Sequence, residues 1–279
     1  MIKFQNFIDL KMKNKIIGII PARMAASRFP GKPLKKISGI PMLMHVFLRA
    51  KLFKSWDKLY VAGCDKEISN YCKDIKIPYI STSSKHKRCL DRVFEAANKI
   101  SSERYKLKKK DIIVCVQGDE PMLRPDMIDT VIREIKNNKK AGSIVLGMSI
   151  KDKKQFKDPN IVKIINNKQL EVLYTSRAPI PHCEKFSSKV QAKRIYGIFA
   201  FRYDFLKKFN STKESFLEKI ESCDSNRICD NYGGQFVANY PFKISFSVDC
   251  KKDLETVQKF MKKDKIFKKY SGIIEKEIN

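Results

Sequence analysis

The chain has 279 residues, 43% of them hydrophobic, which suffices to bury a large core and excludes a disordered chain. Its formal net charge of +28 points to anionic partners, but the excess is Lys spread along the whole length, densest at Lys108 to Lys110 and without interleaved aromatics, so no nucleic acid is expected. No run approaches eighteen apolar residues, so no membrane partner is expected, and the eight cysteines (64, 72, 89, 115, 183, 223, 229 and 250) show neither Cys-x-x-Cys nor a His at zinc spacing, as in the reduced thiols of a cytoplasmic protein.

Residues 1–14 read as an N-terminal extension, with Met12 as a second candidate start, and residues 15–279 as a single domain. The run Ile16 to Ile20 is a strand buried on both faces, too short for the hydrophobic region of a signal peptide. It leads into Pro21-Ala22-Arg23-Met24-Ala25-Ala26-Ser27-Arg28-Phe29-Pro30-Gly31-Lys32-Pro33-Leu34, small, basic and broken by Pro and Gly. This stretch is either a basic surface turn or a phosphate cradle, in which backbone N–H groups approach the ligand and Arg23, Arg28 and Lys32 offset its charge. It is not a Walker loop, since Pro33 follows Gly31-Lys32.

A helix over Pro41 to Lys54, a strand at Lys58 to Gly63, a helix over Lys66 to Lys73 capped by Asp65, and a strand at Ile77 to Ile80 follow. A helix over Leu90 to Ile100 and a strongly apolar strand at Asp111 to Val116 complete a βαβ series, which implies a parallel sheet with right-handed crossovers. That strand ends in Gln117-Gly118-Asp119-Glu120-Pro121, where Asp119 is placed either to coordinate Mg²⁺ or merely to form a turn. Strand-like runs recur at Ile161 to Ile165, Leu170 to Tyr174 and Arg194 to Phe201, and the alternation of Lys243 to Val248 reads as a last strand. Asp249 then either caps a helix over 251–263 or serves as a second metal ligand.

Pro-Ala-Arg followed by Ser-Arg-x-Pro-Gly-Lys-Pro-Leu, the full Gln-Gly-Asp-Glu-Pro, and Val248-Asp249-Cys250-Lys251-Lys252-Asp253-Leu254-Glu255 resemble, in this order, the signatures of the enzymes that make CMP-sugars. The closest resemblance is to the 3-deoxy-manno-octulosonate (Kdo) cytidylyltransferase family, over roughly residues 15 to 263. It implies an α/β, Rossmann-like, GT-A-like nucleotidyltransferase fold, with a mixed, mostly parallel sheet flanked by helices and a sugar-binding and dimerisation excursion at about 151–205. It further implies a homodimer and the transfer of CMP from CTP to an acidic 2-keto sugar, for lipopolysaccharide biosynthesis. Asp119 and Asp249 would then hold Mg²⁺ and act with Lys32 in catalysis, while Pro21, Ala22, Arg23, Arg28, Lys32, His86, Arg92 and Gln117 would bind the nucleotide.

Asp158-Pro159-Asn160-Ile161-Val162-Lys163 and Tyr174-Thr175-Ser176-Arg177-Ala178-Pro179-Ile180-Pro181 resemble the family's sugar-binding segments. Arg suits a carboxylate through paired hydrogen bonds, so Arg177, supported by Lys163, is assigned to the sugar, with Asp224 and Arg227 from an acidic helix. The chain departs from the family at Lys87-Arg88-Cys89-Leu90, at Ile195 in place of a His, and at Asp224-Ser225 in place of Glu-Gln. Two of these changes fall at the sugar end, so 8-amino-Kdo or a nonulosonic acid such as a neuraminate stands as an alternative acceptor. A basic nucleic-acid-binding protein is the distant alternative, resting on charge alone.

Overall fold

The computed structural model describes residues 14–25, 28–103 and 105–272; residues 1–13, with the expected extension and alternative start, lie outside them. The first strand, β1 (Ile16–Pro21), is buried along its whole length, as its unbroken apolar run requires. A two-residue hairpin, β2 (Lys36–Ile37) with β3 (Ile40–Pro41), precedes a helix over Met42–Lys51. Then come β4 (Lys58–Gly63), a helix over Lys66–Asp74, β5 (Tyr79–Ser81), a helix over Cys89–Glu103, β6 (Ile112–Val116) and a helix over Pro125–Asn137. The second half comprises β7 (Ser143–Ser149), β8 (Lys163–Asn166), β9 (Val172–Ser176), β10 (Lys193–Arg202) and β11 (Gln235–Tyr240), ending in a helix over Lys251–Met261.

Among the described residues the main sheet runs β11-β7-β10-β6-β1-β4-β5, with β8 and β9 extending from β10. The pairs β1/β4, β1/β6 and β4/β5 are parallel, as the βαβ spacing predicts, and β7/β11, two strands the sequence reading did not name, are parallel as well. Strand β10 breaks the pattern, running antiparallel between β6 and β7 at the centre of the sheet. Two apolar clusters fill the two faces, one beneath the helices Met42–Lys51 and Pro125–Asn137, the other beneath Cys89–Glu103 and Tyr203–Ser211. No helix among the described residues is long and apolar enough to cross a membrane.

Three expectations are corrected. The excursion expected at about 151–205 ends earlier, because Lys193–Arg202 belongs to the main sheet. The alternating segment Lys243 to Val248 joins no ladder among the described residues; Arg194 and Lys32 hold its carbonyls and Glu120 its Ser247 hydroxyl, which a period-two pattern cannot distinguish from strand pairing. Asp65 does stand at the N-cap of its helix but makes no capping bond; its Oδ2 accepts the Met24 N–H at 3.0 Å and so anchors the loop after β1.

Candidate active site

The loop after β1 and the turn after β6 emerge side by side because their strands are parallel neighbours. They touch at Gly118, where a Cβ would lie 2.6 Å from the Pro21 carbonyl oxygen, so only glycine permits this approach. Gly31 turns the first loop back with a φ of 73°, its N–H donating to the Met24 carbonyl at 2.9 Å. This sets Lys32 at the start of a short 3₁₀ turn, its side chain only 15% exposed and pointing at the carboxylates.

The Lys32 ammonium lies 2.9 Å from Asp119 Oδ2 and 3.5 Å from Asp249 Oδ1, and also donates to the Val248 carbonyl at 2.9 Å. Burial opposes its charge, but the two aspartates outweigh burial and raise its pKa. Two acidic residues 130 positions apart in sequence thus converge on one cation. Asp249 is not the helix cap: Asp253 Oδ2 accepts the N–H groups of Asp249 and Cys250 at 3.0 and 2.9 Å, leaving the Asp249 carboxylate to face the cleft. Arg28 reaches that carboxylate at 3.0 Å and donates to Asn160 Oδ1 at 2.8 Å, linking the first loop to the excursion.

Two cavities meet at these aspartates. The smaller, about 270 Å³, is bordered by all eight residues assigned to the nucleotide: Pro21, Ala22, Arg23, Arg28, Lys32, His86, Arg92 and Gln117. Within it His86 Nε2 is bonded to Glu95, and Arg92 Nη1 donates to Thr82 Oγ1. Burial pushes the Glu95 carboxyl up, but bonds from Ser83 N–H, His86 and Lys99 prevail and bring it down to about 2. The larger cavity, about 950 Å³, reaches from Asp119 and Asp249 to Arg177 and Asp224, with Ile195 in its wall.

The four sugar assignments divide. Arg177 and Asp224 border the larger cavity; Lys163 and Arg227 do not. Lys163 is fully buried and gives its three protons to the carbonyls of Asp158, Ile161 and Arg177, at 2.8, 2.6 and 2.7 Å. Burial lowers its pKa to about 8, and its role is to knit the turn before β8 to the end of β9. Arg227 pairs in bidentate fashion with Glu218, Nε to Oε2 at 2.7 Å and Nη2 to Oε1 at 2.8 Å, and is a buried strut between two helices. Arg177 itself donates to the carbonyls of Glu221 and Pro159, both at 2.9 Å, while its own N–H is accepted by Glu221 Oε2 at 2.8 Å.

Burial, reinforced by the Glu218 charge, pushes the Asp224 carboxyl up to about 6 against the opposing pull of Arg88 and Arg227. An aspartate with a raised folded pKa binds more protons folded than unfolded, so its contribution to stability is lost as pH rises through the interval from its ordinary value to about 6. Asp224→Asn is therefore expected to stabilise the protein at pH 7.5, by up to about 3 kcal/mol, and to change it little near pH 4, as read by denaturant unfolding at both pH values. Equal effects at the two pH values would contradict this account.

Three contributors escaped the sequence reading: Glu120, Arg194 and Arg88. Glu120 stands beside Asp119 in the same motif, and burial, then the Asp119 charge, pushes its carboxyl up to about 7. Arg88 lies within the loop that departs from the family and borders both cavities, held by Glu214 Oε1 at 3.0 Å from its Nε. The departure itself was the available signal.

The sequence and the fold have counterparts among known proteins. A family model described as cytidylyltransferase matches residues 17–239. The chain is 36% identical over 249 residues to a 3-deoxy-manno-octulosonate cytidylyltransferase of Thermodesulfovibrio yellowstonii, covering 87% of this chain and 96% of that one. It is also 36% identical over 214 residues to the enzyme of the same name from Oleidesulfovibrio alaskensis, covering 77% and 84%. Among solved structures, a CMP:2-keto-3-deoxy-manno-octonic acid synthetase complexed with CTP superposes with a TM-score of 0.79 at 29% identity, covering 90% of this chain and 99% of that one. A putative glucose-1-phosphate thymidylyltransferase from Bacillus anthracis shares the fold, with a TM-score of 0.63 at 14% identity.

Proposed function

The chain belongs to the cytidylyltransferase family, and on that premise we propose that it transfers CMP from CTP to 3-deoxy-manno-octulosonate, releasing diphosphate and supplying an activated sugar for lipopolysaccharide assembly in the cytoplasm. The observation that carries this reading is the position of Asp119 and Asp249 at the junction of the two cavities, where an α-phosphate in one meets a hydroxyl presented by the other.

The donor set fits Mg²⁺. Two carboxylate oxygens, Asp119 Oδ2 and Asp249 Oδ1, share one cationic partner at the border of both cavities. A hard ion held by two carboxylates and completed by phosphate and water oxygens matches the habit of magnesium. When bound, the ion supplies charge neutralisation at the α-phosphate. Asp119 and Asp249 would hold it. Lys32, Arg23 and Arg28 line the same cavity and would offset the charge of the triphosphate and of the departing diphosphate. The anomeric hydroxyl attacks the α-phosphate directly, so no protein nucleophile is required, and positioning with electrostatics provides the catalysis. Arg177 and Asp224 would hold the sugar at the far wall.

We propose a homodimer built on the excursion together with the helix Phe216–Glu221 beside it. Leu173 on β9 and Phe216 and Ile220 on the helix Phe216–Glu221 are 54, 71 and 64% exposed, and the helix is tied to β9 by the Tyr174 hydroxyl donating to Glu221 at 2.8 Å. Sedimentation at micromolar concentration is expected to show a dimer; a monomer alone would refute it.

Turnover decides the acceptor. With CTP, diphosphate release is expected to be at least about tenfold faster with Kdo than with N-acetylneuraminate, because a site of fixed hydrogen-bonding groups rejects a substrate that leaves them unpaired. A related acid sugar such as 8-amino-Kdo or a nonulosonic acid is the second reading, favoured by Ile195 and Asp224 in the wall of the larger cavity. Release with N-acetylneuraminate at the higher rate would establish it.

A further inference from the structure

The second carboxylate of the site rides on backbone that no ladder holds. Asp249 directly follows the segment 241–248, which pairs with no strand among the described residues. Polar bonds from the two neighbouring elements fix that segment instead. The Val248 N–H donates to the Asp119 carbonyl at 2.9 Å, and the Ser247 hydroxyl donates to Glu120 Oε1 at 2.6 Å. Further back, Tyr196 and Ser245 share a hydroxyl–hydroxyl bond at 2.6 Å, and Arg194 Nη2 donates to the Ser245 carbonyl at 3.0 Å.

Glu120 is the unusual member. It is 3% exposed; its Oε1 is shared between the Ser247 hydroxyl and the Gly197 N–H, the latter at 3.3 Å, and its Oε2 has no hydrogen-bond partner among the described residues. Burial of a carboxyl with one oxygen outside the hydrogen-bond network is costly, and the Arg194 charge and the Tyr196 hydroxyl, which both face it, offset only part of that cost. The space around it is fitted to it: a Cβ at Gly197 would lie 2.9 Å from Glu120 Cγ and 2.5 Å from Gln117 Oε1.

Resting on the two-carboxylate reading above, we propose that Glu120 is a positioning residue that, through Ser247, sets where Asp249 stands relative to Asp119. The connection is short. Glu120 follows Asp119 in the chain, Ser247 lies two residues before Asp249, and the Glu120–Ser247 bond together with the Asp119–Val248 bond forms a two-point clip between the neighbours of both aspartates. Glu120 and Ser247 border the larger cavity, and a clip of this kind governs the spacing of metal-holding oxygens as outer hydrogen-bond partners do in metal sites.

The test uses the full-length protein with CTP and Mn²⁺ as the probe, reading free Mn²⁺ by electron paramagnetic resonance alongside steady-state turnover. Ser247→Ala is expected to weaken Mn²⁺ binding and to lower kcat by about tenfold each, with the KM for the sugar within about twofold of wild type. Ser247→Thr, which restores a hydroxyl, is expected to recover both. Glu120→Gln, which keeps an acceptor oxygen for Ser247, is expected to stay within about threefold of wild type in Mn²⁺ affinity. Wild-type Mn²⁺ affinity in Ser247→Ala overturns the proposal, as does loss in Glu120→Gln without loss in Ser247→Ala. Asp249→Asn separates the two layers: if it binds Mn²⁺ as wild type does, the two-carboxylate reading itself falls, whereas a loss there with none in Ser247→Ala overturns the clip alone.

Discussion

Asp119→Asn is expected to fold as the wild type does and to lose about 10²–10³-fold in kcat, roughly 3–4 kcal/mol of transition-state stabilisation, the scale of removing one preorganised electrostatic group. The substitution keeps the shape of the side chain but removes its charge, leaving Asp249 as the one carboxylate beside Lys32. Stability should barely change, because the lost ion pair is partly exposed and such pairs contribute little. Asp249→Asn should show the same loss, and the double variant should be scarcely worse than either single one, because two groups acting on one charge behave as a unit. Circular dichroism establishes the fold and diphosphate release the rate. Turnover within about threefold of wild type in Asp119→Asn would remove this aspartate from the chemistry.

The second large effect falls on stability. Arg227→Met is expected to cost about 3–5 kcal/mol and to lower Tm by roughly 10 °C, because it strands the Glu218 carboxylate in the interior. Glu218 has no side-chain exposure, and its two oxygens take the two short bonds from Arg227. Arg88 Nε, 3.9 Å away, and the Ser215 N–H at 3.3 Å remain beside it, while the nearby Asp224 carboxyl adds like charge. Removing both partners, Arg227→Met with Glu218→Leu, should recover much of the loss, since an apolar pair of similar volume carries no desolvation penalty. Equilibrium denaturation of the three variants gives the comparison. Near-native stability in Arg227→Met, together with a KM for the sugar raised more than about tenfold, would return Arg227 to the substrate role that the sequence suggested.

These two residues show how far the sequence could be read. Asp119 was legible because a fully buried run, Ile112 to Val116, delivers it to the end of a parallel strand, where α/β sheets bind ligands. Strands β1, β4 and β6 were legible for the same reason: an unbroken apolar stretch has only one place to go. Arg227 and Lys163 were misread because a cation in a sequence looks the same whether it will meet a substrate or a buried carboxylate or carbonyl. Lys163 is satisfied by three carbonyls drawn from two separate turns, and no local pattern announces that. Glu120 was passed over because its neighbour Asp119 fitted the metal role, while its bond to Ser247 crosses 127 positions.

The residues that border the smaller cavity were named through the family resemblance, whereas the sequence by itself determined the order of strands and helices of the early parallel sheet and the two loops that flank the cleft. Local apolar period and Gly or Pro placement are enough for that. Tertiary structure decided that β10 enters the middle of the sheet in the opposite sense, that 243–248 stays out of it, and that Asp249 faces Asp119 across Lys32 and not its own helix. Those outcomes rest on competition for hydrogen-bond partners among groups far apart in the chain, and a side chain's partner is fixed only once every other polar group in the interior has found its own.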